Sequence, residues 1–125
     1  MSQIKDRYLI IVLAEPGTQD SLGRVAHALI YANDLLEKGF ETKILFDGGG
    51  TKWIQELTKN DHPLNSLFNR LKEKEVIDGV CEHCITVFKA DIDIIRRSGV
   101  RLIGEFHGHP SISKYIENSY RVMIF

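Results

Sequence analysis

The chain has no long apolar run, no block of like charge and only two cysteines among its 125 residues. A membrane-crossing helix needs about 20 consecutive apolar residues, and no stretch approaches that length. Lys5 and Arg7 precede the apolar run Tyr8 to Ala14, as in a signal peptide. That run is short, however, and Glu15-Pro16 follows where a small-residue cleavage site would stand, so it reads as a buried strand. The formal net charge is −1 with the signs interleaved, which gives no electrostatic ground for nucleic acid or an anionic membrane as partner. No block of like charge is long enough to read as a tail, and no repeat, low-complexity tract or linker is evident. One domain over residues 1–125 is the expectation. A cytoplasmic location is expected too. In such a reducing compartment a cysteine pair is more often catalytic, redox-active or metal-binding than a structural staple.

What is present is an alternation of strands and helices, with 43% hydrophobic and 26% charged residues. Tyr8 to Leu13 is continuously apolar, as in a strand covered on both faces. Leu22, Val25, Ala26, Leu29, Ile30 and Leu36 recur at helical spacing, and Lys38-Gly39 closes that helix. Thr42 to Phe46 reads as the second strand, and a short helix from Thr51 carries Trp53 and Leu57. Pro63 opens a helix with Leu64, Leu67, Phe68 and Leu71 on one face. Val76 to Val80 is the third strand, Cys84 to Arg97 a helix stopped by Gly99, and Val100 to Phe106 the fourth strand. Pro110 opens a helix with Ile112, Tyr115 and Ile116 inward, and Tyr120 to Phe125 is the fifth strand. This order implies right-handed crossovers and a parallel sheet with helices on both faces, a three-layer α/β/α sandwich.

Open parallel sheets place their sites at the carboxyl ends of the strands. That rule nominates Glu15 to Asp20, Asp47 to Thr51, Cys81 to Cys84, and His107 to Pro110. The segment Cys81-Glu82-His83-Cys84 carries the most chemistry. A thiol reacts as thiolate, and a cysteine in a helix's first turn feels the unpaired N–H groups and the positive dipole end, which favour the anion. A protonated His83 would act in the same direction. The three-residue spacing lets Cys84 resolve a persulfide or mixed disulfide on Cys81. Inert packing of both thiols is the plain alternative. Zinc on Cys81, Cys84, His107 and His109 is the other, since these are the soft and borderline donors that zinc prefers.

Gly48-Gly49-Gly50 before Thr51-Lys52 suggests a phosphate loop, but the order fits neither G-x-x-x-x-G-K-[ST] nor G-x-G-x-x-G. Backbone N–H groups there can hold an anion; a tight strand-to-helix turn is the simpler expectation. Trp53 either closes over the site or belongs to the core. Glu15 and Glu105 are candidate proton acceptors near the thiols.

These residues, in this order, resemble the DsrE/DsrF-like family of small sulfur-relay and sulfurtransferase-like proteins. The resemblance runs through Gly17-Thr18-Gln19, Ala26-His27-Ala28-Leu29, and Phe46-Asp47-Gly48-Gly49-Gly50-Thr51-Lys52-Trp53. It continues in Val80-Cys81-Glu82-His83-Cys84, Gly108-His109-Pro110-Ser111 and Arg121-Val122-Met123-Ile124-Phe125. It implies a five-stranded parallel, Rossmann-like sandwich that assembles into trimers or hexamers, with no dedicated cofactor. It also implies sulfur carried as a persulfide on Cys81 between donor and acceptor proteins or small thiols. His83 and Cys84 would assist, and Gly17, Thr18, Gly48, Gly49, Gly50, Thr51, His107 and His109 would complete the binding loops. After the pair, Ile85-Thr86-Val87-Phe88-Lys89 stands where the family has small residues, which narrows the expected access to the thiols.

Overall fold

The computed structural model describes residues 5–125; residues 1–4 of the expected domain lie outside them. Strand β1 (Arg7–Val12) leads into helix α1 (Gln19–Glu37). Thr18 starts α1 with a capping box: its Oγ1 accepts from the Ser21 N–H at 3.0 Å, and Ser21 Oγ accepts from the Thr18 N–H at 3.2 Å. These bonds satisfy two N–H groups that the helix itself leaves open. Strand β2 (Glu41–Phe46) runs through a 3-10 turn (Gly48–Lys52) into α2 (Trp53–Leu57). Helix α3 (Asn65–Glu73) starts two residues after Pro63, and β3 (Ile77–Cys81) follows.

The helix expected over Cys84 to Arg97 is two helices, α4 (Glu82–Val87) and α5 (Ile92–Ser98). Lys89 turns left-handed at φ 57°, which ends the first helix. Asp91 then caps the second by accepting from the Ile94 N–H at 3.1 Å. Helical periodicity was preserved across this break, so the side-chain pattern hid it. Strand β4 is only Leu102–Ile103, not Val100 to Phe106. After it the chain folds into a turn, where the Gly108 N–H bonds the Gly104 carbonyl and Phe106 and His109 exchange backbone bonds. Helix α6 (Ile112–Glu117) precedes β5 (Tyr120–Ile124). Of its expected inward residues only Tyr115 is buried; Ile112 and Ile116 are exposed.

The sheet is wholly parallel, in the order β4-β3-β2-β1-β5. Its two faces are covered unequally. On one face Ile10, Val12, Ile44, Phe46 and Val80 pack against buried residues of α1 to α5, among them Leu29, Leu57, Phe68 and Ile95. Burying each such side chain contributes about 1.5–3 kcal/mol. On the other face Leu9, Ile11, Leu45 and Ile103 meet Tyr115 of α6, with Tyr120 and Val122 alongside. Around that thin cover, Leu13, Ile112, Ile116 and Ile124 are 44–63% exposed. The architecture is the expected single-domain α/β sandwich, with one layer much lighter than the other.

Candidate functional site: a thiol cluster at the strand ends

Register builds the site. Phe46 pairs with Val80, so the next residues, Asp47 and Cys81, lie side by side at the sheet's carboxyl edge. Cys81 is both the last residue of β3 and the N-cap of α4, and the Cys84 N–H donates to its Sγ at 3.4 Å. The turn after β4 closes over this pair. His109 Nδ1 lies 3.3 Å from Cys81 Sγ and 3.9 Å from Cys84 Sγ, and the Gly108 carbonyl lies 3.9 Å from Cys81 Sγ. Ligand atoms of Asp47, Cys81, Cys84 and His109 all fall within 4.8 Å of one another. Both cysteines are free thiols.

The activated thiolate expected at Cys81 is not what this environment makes. Cys81 is fully buried and Cys84 is 9% exposed. Desolvation pushes the Cys81 thiol far above its ordinary range, because burial disfavours the charged form. The N–H of Cys84 pulls the other way, but the Cys84 thiol and the Asp47 carboxylate both add to the rise. The helix-terminus effect assumed from sequence is therefore present and outweighed. His83 is exposed, its ring 4.7 Å from that of His109, and its backbone N–H bonds the Gly108 carbonyl at 2.9 Å. It stands on the outer side of the turn and is not among the causes acting on the thiol.

Asp47 is nominated from sequence only as the first residue of the segment Asp47 to Thr51, and its carboxylate is not assigned to the thiols; the structure places it in their cluster. Glu15 is paired with Lys52 at 3.0 Å, and Glu105 with Lys114 at 2.9 Å and the Ser111 N–H at 3.2 Å. Neither belongs to the thiol cluster. His107, placed with the expected zinc donors, is not among the converging atoms either. It is exposed, at φ 51°, with its ring against Phe106. Asp47 takes its place.

The glycine segment folds as a tight turn. Asp47 Oδ1 accepts from the Gly48 N–H and Asp47 O from the Gly50 N–H, both at 2.8 Å, while Thr51 Oγ1 donates to the Gly48 carbonyl at 2.9 Å. A Cβ on Gly50 would sit 2.0 Å from the Val12 carbonyl oxygen, and one on Gly49 would sit 2.7 Å from Glu15 Cβ. Close approach to the end of β1 explains both glycines without an anion. Trp53 is core: 3% exposed, with Nε1 donating to the Ala14 carbonyl at 2.7 Å. Gly17 and Thr18 line a separate cleft of ≈ 670 Å³ with Lys52, Trp53, His62 and Lys89, and neither thiol lines it.

Fold and site together define a small α/β protein with a covered dithiol cluster at the carboxyl edge of a parallel sheet. The DsrE/DsrF-like family matches residues 6–125, and the chain belongs to that family. It is 34% identical over 105 residues to "Uncharacterized protein MJ0733" of Methanocaldococcus jannaschii, covering 84% of this chain and 83% of that one. Its fold is similar to that of a conserved protein of unknown function, BT1422 from Bacteroides thetaiotaomicron. The TM-score is 0.61, with 15% identity and 94% of each chain covered. No helix among the described residues is long and apolar enough to cross a membrane.

Proposed function

We propose that the protein is a sulfur carrier in which Cys81 holds sulfane sulfur as a persulfide. The observation that carries this reading is the position of Cys81. It ends β3, caps α4, and has Cys84 and His109 against its sulfur, in a chain of the DsrE/DsrF-like family. In the loading step the Cys81 thiolate attacks the outer sulfur of a donor persulfide; a new S–S bond forms and the donor leaves as its thiolate. In the unloading step an acceptor thiolate takes that outer sulfur and Cys81 leaves as thiolate. If Cys84 instead attacks the inner sulfur, a Cys81–Cys84 disulfide forms and hydrosulfide departs. Donor and acceptor are proteins or small thiols, and the thiols need a reducing compartment to stay free, in keeping with a cytoplasmic location.

Intact-mass analysis after incubation with polysulfide tests the assignment. Wild type and Cys84→Ser should each gain a sulfur that a reductant removes, and Cys81→Ser should gain none. Equal gain by Cys81→Ser overturns it. The half-covered sheet face around Leu13, Ile112, Ile116 and Ile124 supports assembly into a homo-oligomer, since exposed apolar surface of this kind commonly marks an interface, and the family resemblance implies a trimer or hexamer. Light scattering on Ile116→Glu, a residue 55% exposed in the single chain, should show dissociation. An unchanged mass for that variant removes this face from the interface.

A further inference from the structure

The cluster at the sheet edge offers two sulfurs, one imidazole nitrogen and one carboxylate oxygen, supplied by the ends of β2 and β3, by α4 and by the turn after β4. Tetrahedral zinc with bonds of about 2.0–2.3 Å sets its ligand atoms about 3.6 Å apart. The His109 Nδ1 to sulfur distances, 3.3 Å and 3.9 Å, bracket that value. All four donors lie within 4.8 Å of one another, so small side-chain adjustments would bring them onto one ion. The outer contacts also fit. The Gly48 N–H holds Asp47 Oδ1 at 2.8 Å, and such second contacts orient a metal ligand. A closed set of four protein donors, with no position left for water, is the pattern of a structural rather than a hydrolytic zinc ion.

We propose that Asp47, Cys81, Cys84 and His109 form a four-coordinate Zn²⁺ site, and that zinc and a persulfide are alternative occupants of Cys81. The first half stands on geometry alone. The second rests on the sulfur-carrier reading. Coordination replaces the protons of both thiols, which leave to solvent, and it occupies the Cys81 lone pair that would attack a sulfur donor. The zinc-loaded protein is then a resting form, and removal of the ion exposes the thiol to loading.

The test uses the metal alone. Wild-type protein is stripped with chelator, titrated with Zn²⁺ against a chromophoric competitor, and examined with Co²⁺ for thiolate-to-metal charge-transfer absorption. One ion per chain and that absorption are expected. Asp47→Asn, which keeps an oxygen to accept from the Gly48 N–H, and His109→Ala should each weaken Zn²⁺ at least about tenfold. His107→Ala should leave it unchanged. Substoichiometric zinc in wild type, or undiminished binding in Cys81→Ser/Cys84→Ser, overturns the site. Polysulfide loading is then compared with and without Zn²⁺. Loading undiminished by a full equivalent of bound zinc refutes the mutual exclusion. Metal-free protein that takes sulfur but binds no zinc sinks the metal site only, whereas protein that binds zinc but never takes sulfur sinks the carrier reading only.

Discussion

Asp47→Asn in metal-free protein isolates the charge that helps keep the Cys81 thiol protonated. The Asp47 carboxylate and the Cys81 sulfur are no more than 4.8 Å apart. Two unit negative charges at that separation repel by about 3.5 kcal/mol at an effective dielectric constant near 20, and by about 0.9 kcal/mol in bulk water. Asp47 is half-buried, so the effect lies between these limits. At about 1.36 kcal/mol per unit, neutralising the carboxylate should lower the thiol pKa by roughly 0.6–2.5 units. Burial, the larger cause of the rise, is untouched, so the thiol should remain above its ordinary range. Asparagine keeps an oxygen for the Gly48 N–H, so the turn is retained. In a Cys84→Ser background, ultraviolet thiolate absorbance followed against pH gives the shift directly. The thiolate fraction at neutral pH should rise about 4- to 300-fold. A weaker base is a poorer nucleophile, with a Brønsted slope of about 0.4–0.5, so alkylation should accelerate only about 2- to 30-fold. Coincident titration curves for the variant and its Asp47 parent would refute the argument.

Three further outcomes follow from the same contacts. Because the Cys81 pKa is raised in the folded state, stability is intact below the unfolded thiol's value of about 8.5 and declines as pH rises above it. Urea melts between about pH 8.5 and 9.5, below the ordinary tyrosine value of about 10, should show a loss approaching 1.4 kcal/mol per unit, and Cys81→Ser should flatten it; an unchanged slope assigns the loss elsewhere. Gly50→Ala should cost about 1–3 kcal/mol or more, since its Cβ meets the Val12 carbonyl oxygen at 2.0 Å, whereas Gly23→Ala in α1, with nothing within 4 Å, should stabilise by about 0.5–1 kcal/mol. Denaturant midpoints measure both, and equal signs would discredit the packing account. Thr18→Ala removes the α1 cap and should cost about 0.5–2 kcal/mol in the same assay, against no change if solvent replaces the bond.

The parallel sheet was legible because apolar runs and turn residues alternate over the whole chain, and these report burial directly. What escaped was local backbone geometry. The break at Lys89 to Asp91 follows from one left-handed residue and one capping side chain, which side-chain periodicity does not register. The shortened β4 has the same origin, because the backbone bonds of the Gly104 to His109 turn replace ladder bonds that the apolar pattern promised. Cys81, Cys84 and His109 were nominated by the rule that sites gather at strand ends. His107 came with them only by adjacency in sequence, and one residue's difference in a tight turn points it away. Asp47 needed the register of β2 against β3, a long-range fact no single segment contains. With that register known, the residue after Phe46 is the obvious neighbour of the residue after Val80.

The turn from Gly104 to Pro110 connects the two chemistries assigned to the cluster. It supplies His109 to the sulfurs and its Gly108 carbonyl to Cys81, and it leans on α4 through the His83 N–H and the paired imidazoles. In the proposed sulfur-carrier reading, a donor would reach Cys81 only with this turn lifted, since the thiol has no exposed surface. Lifting it withdraws an imidazole from any metal bound below and admits water to the thiol. Desolvation is the largest cause of the raised pKa, so the same movement restores thiolate character. Taken together, the two proposals would make burial, metal retention and low reactivity one state, and exposure, metal loss and nucleophilicity the other. A sulfur carrier built this way would gain from that coupling, because a thiol that is nucleophilic only with the turn lifted does not react with every oxidant it meets.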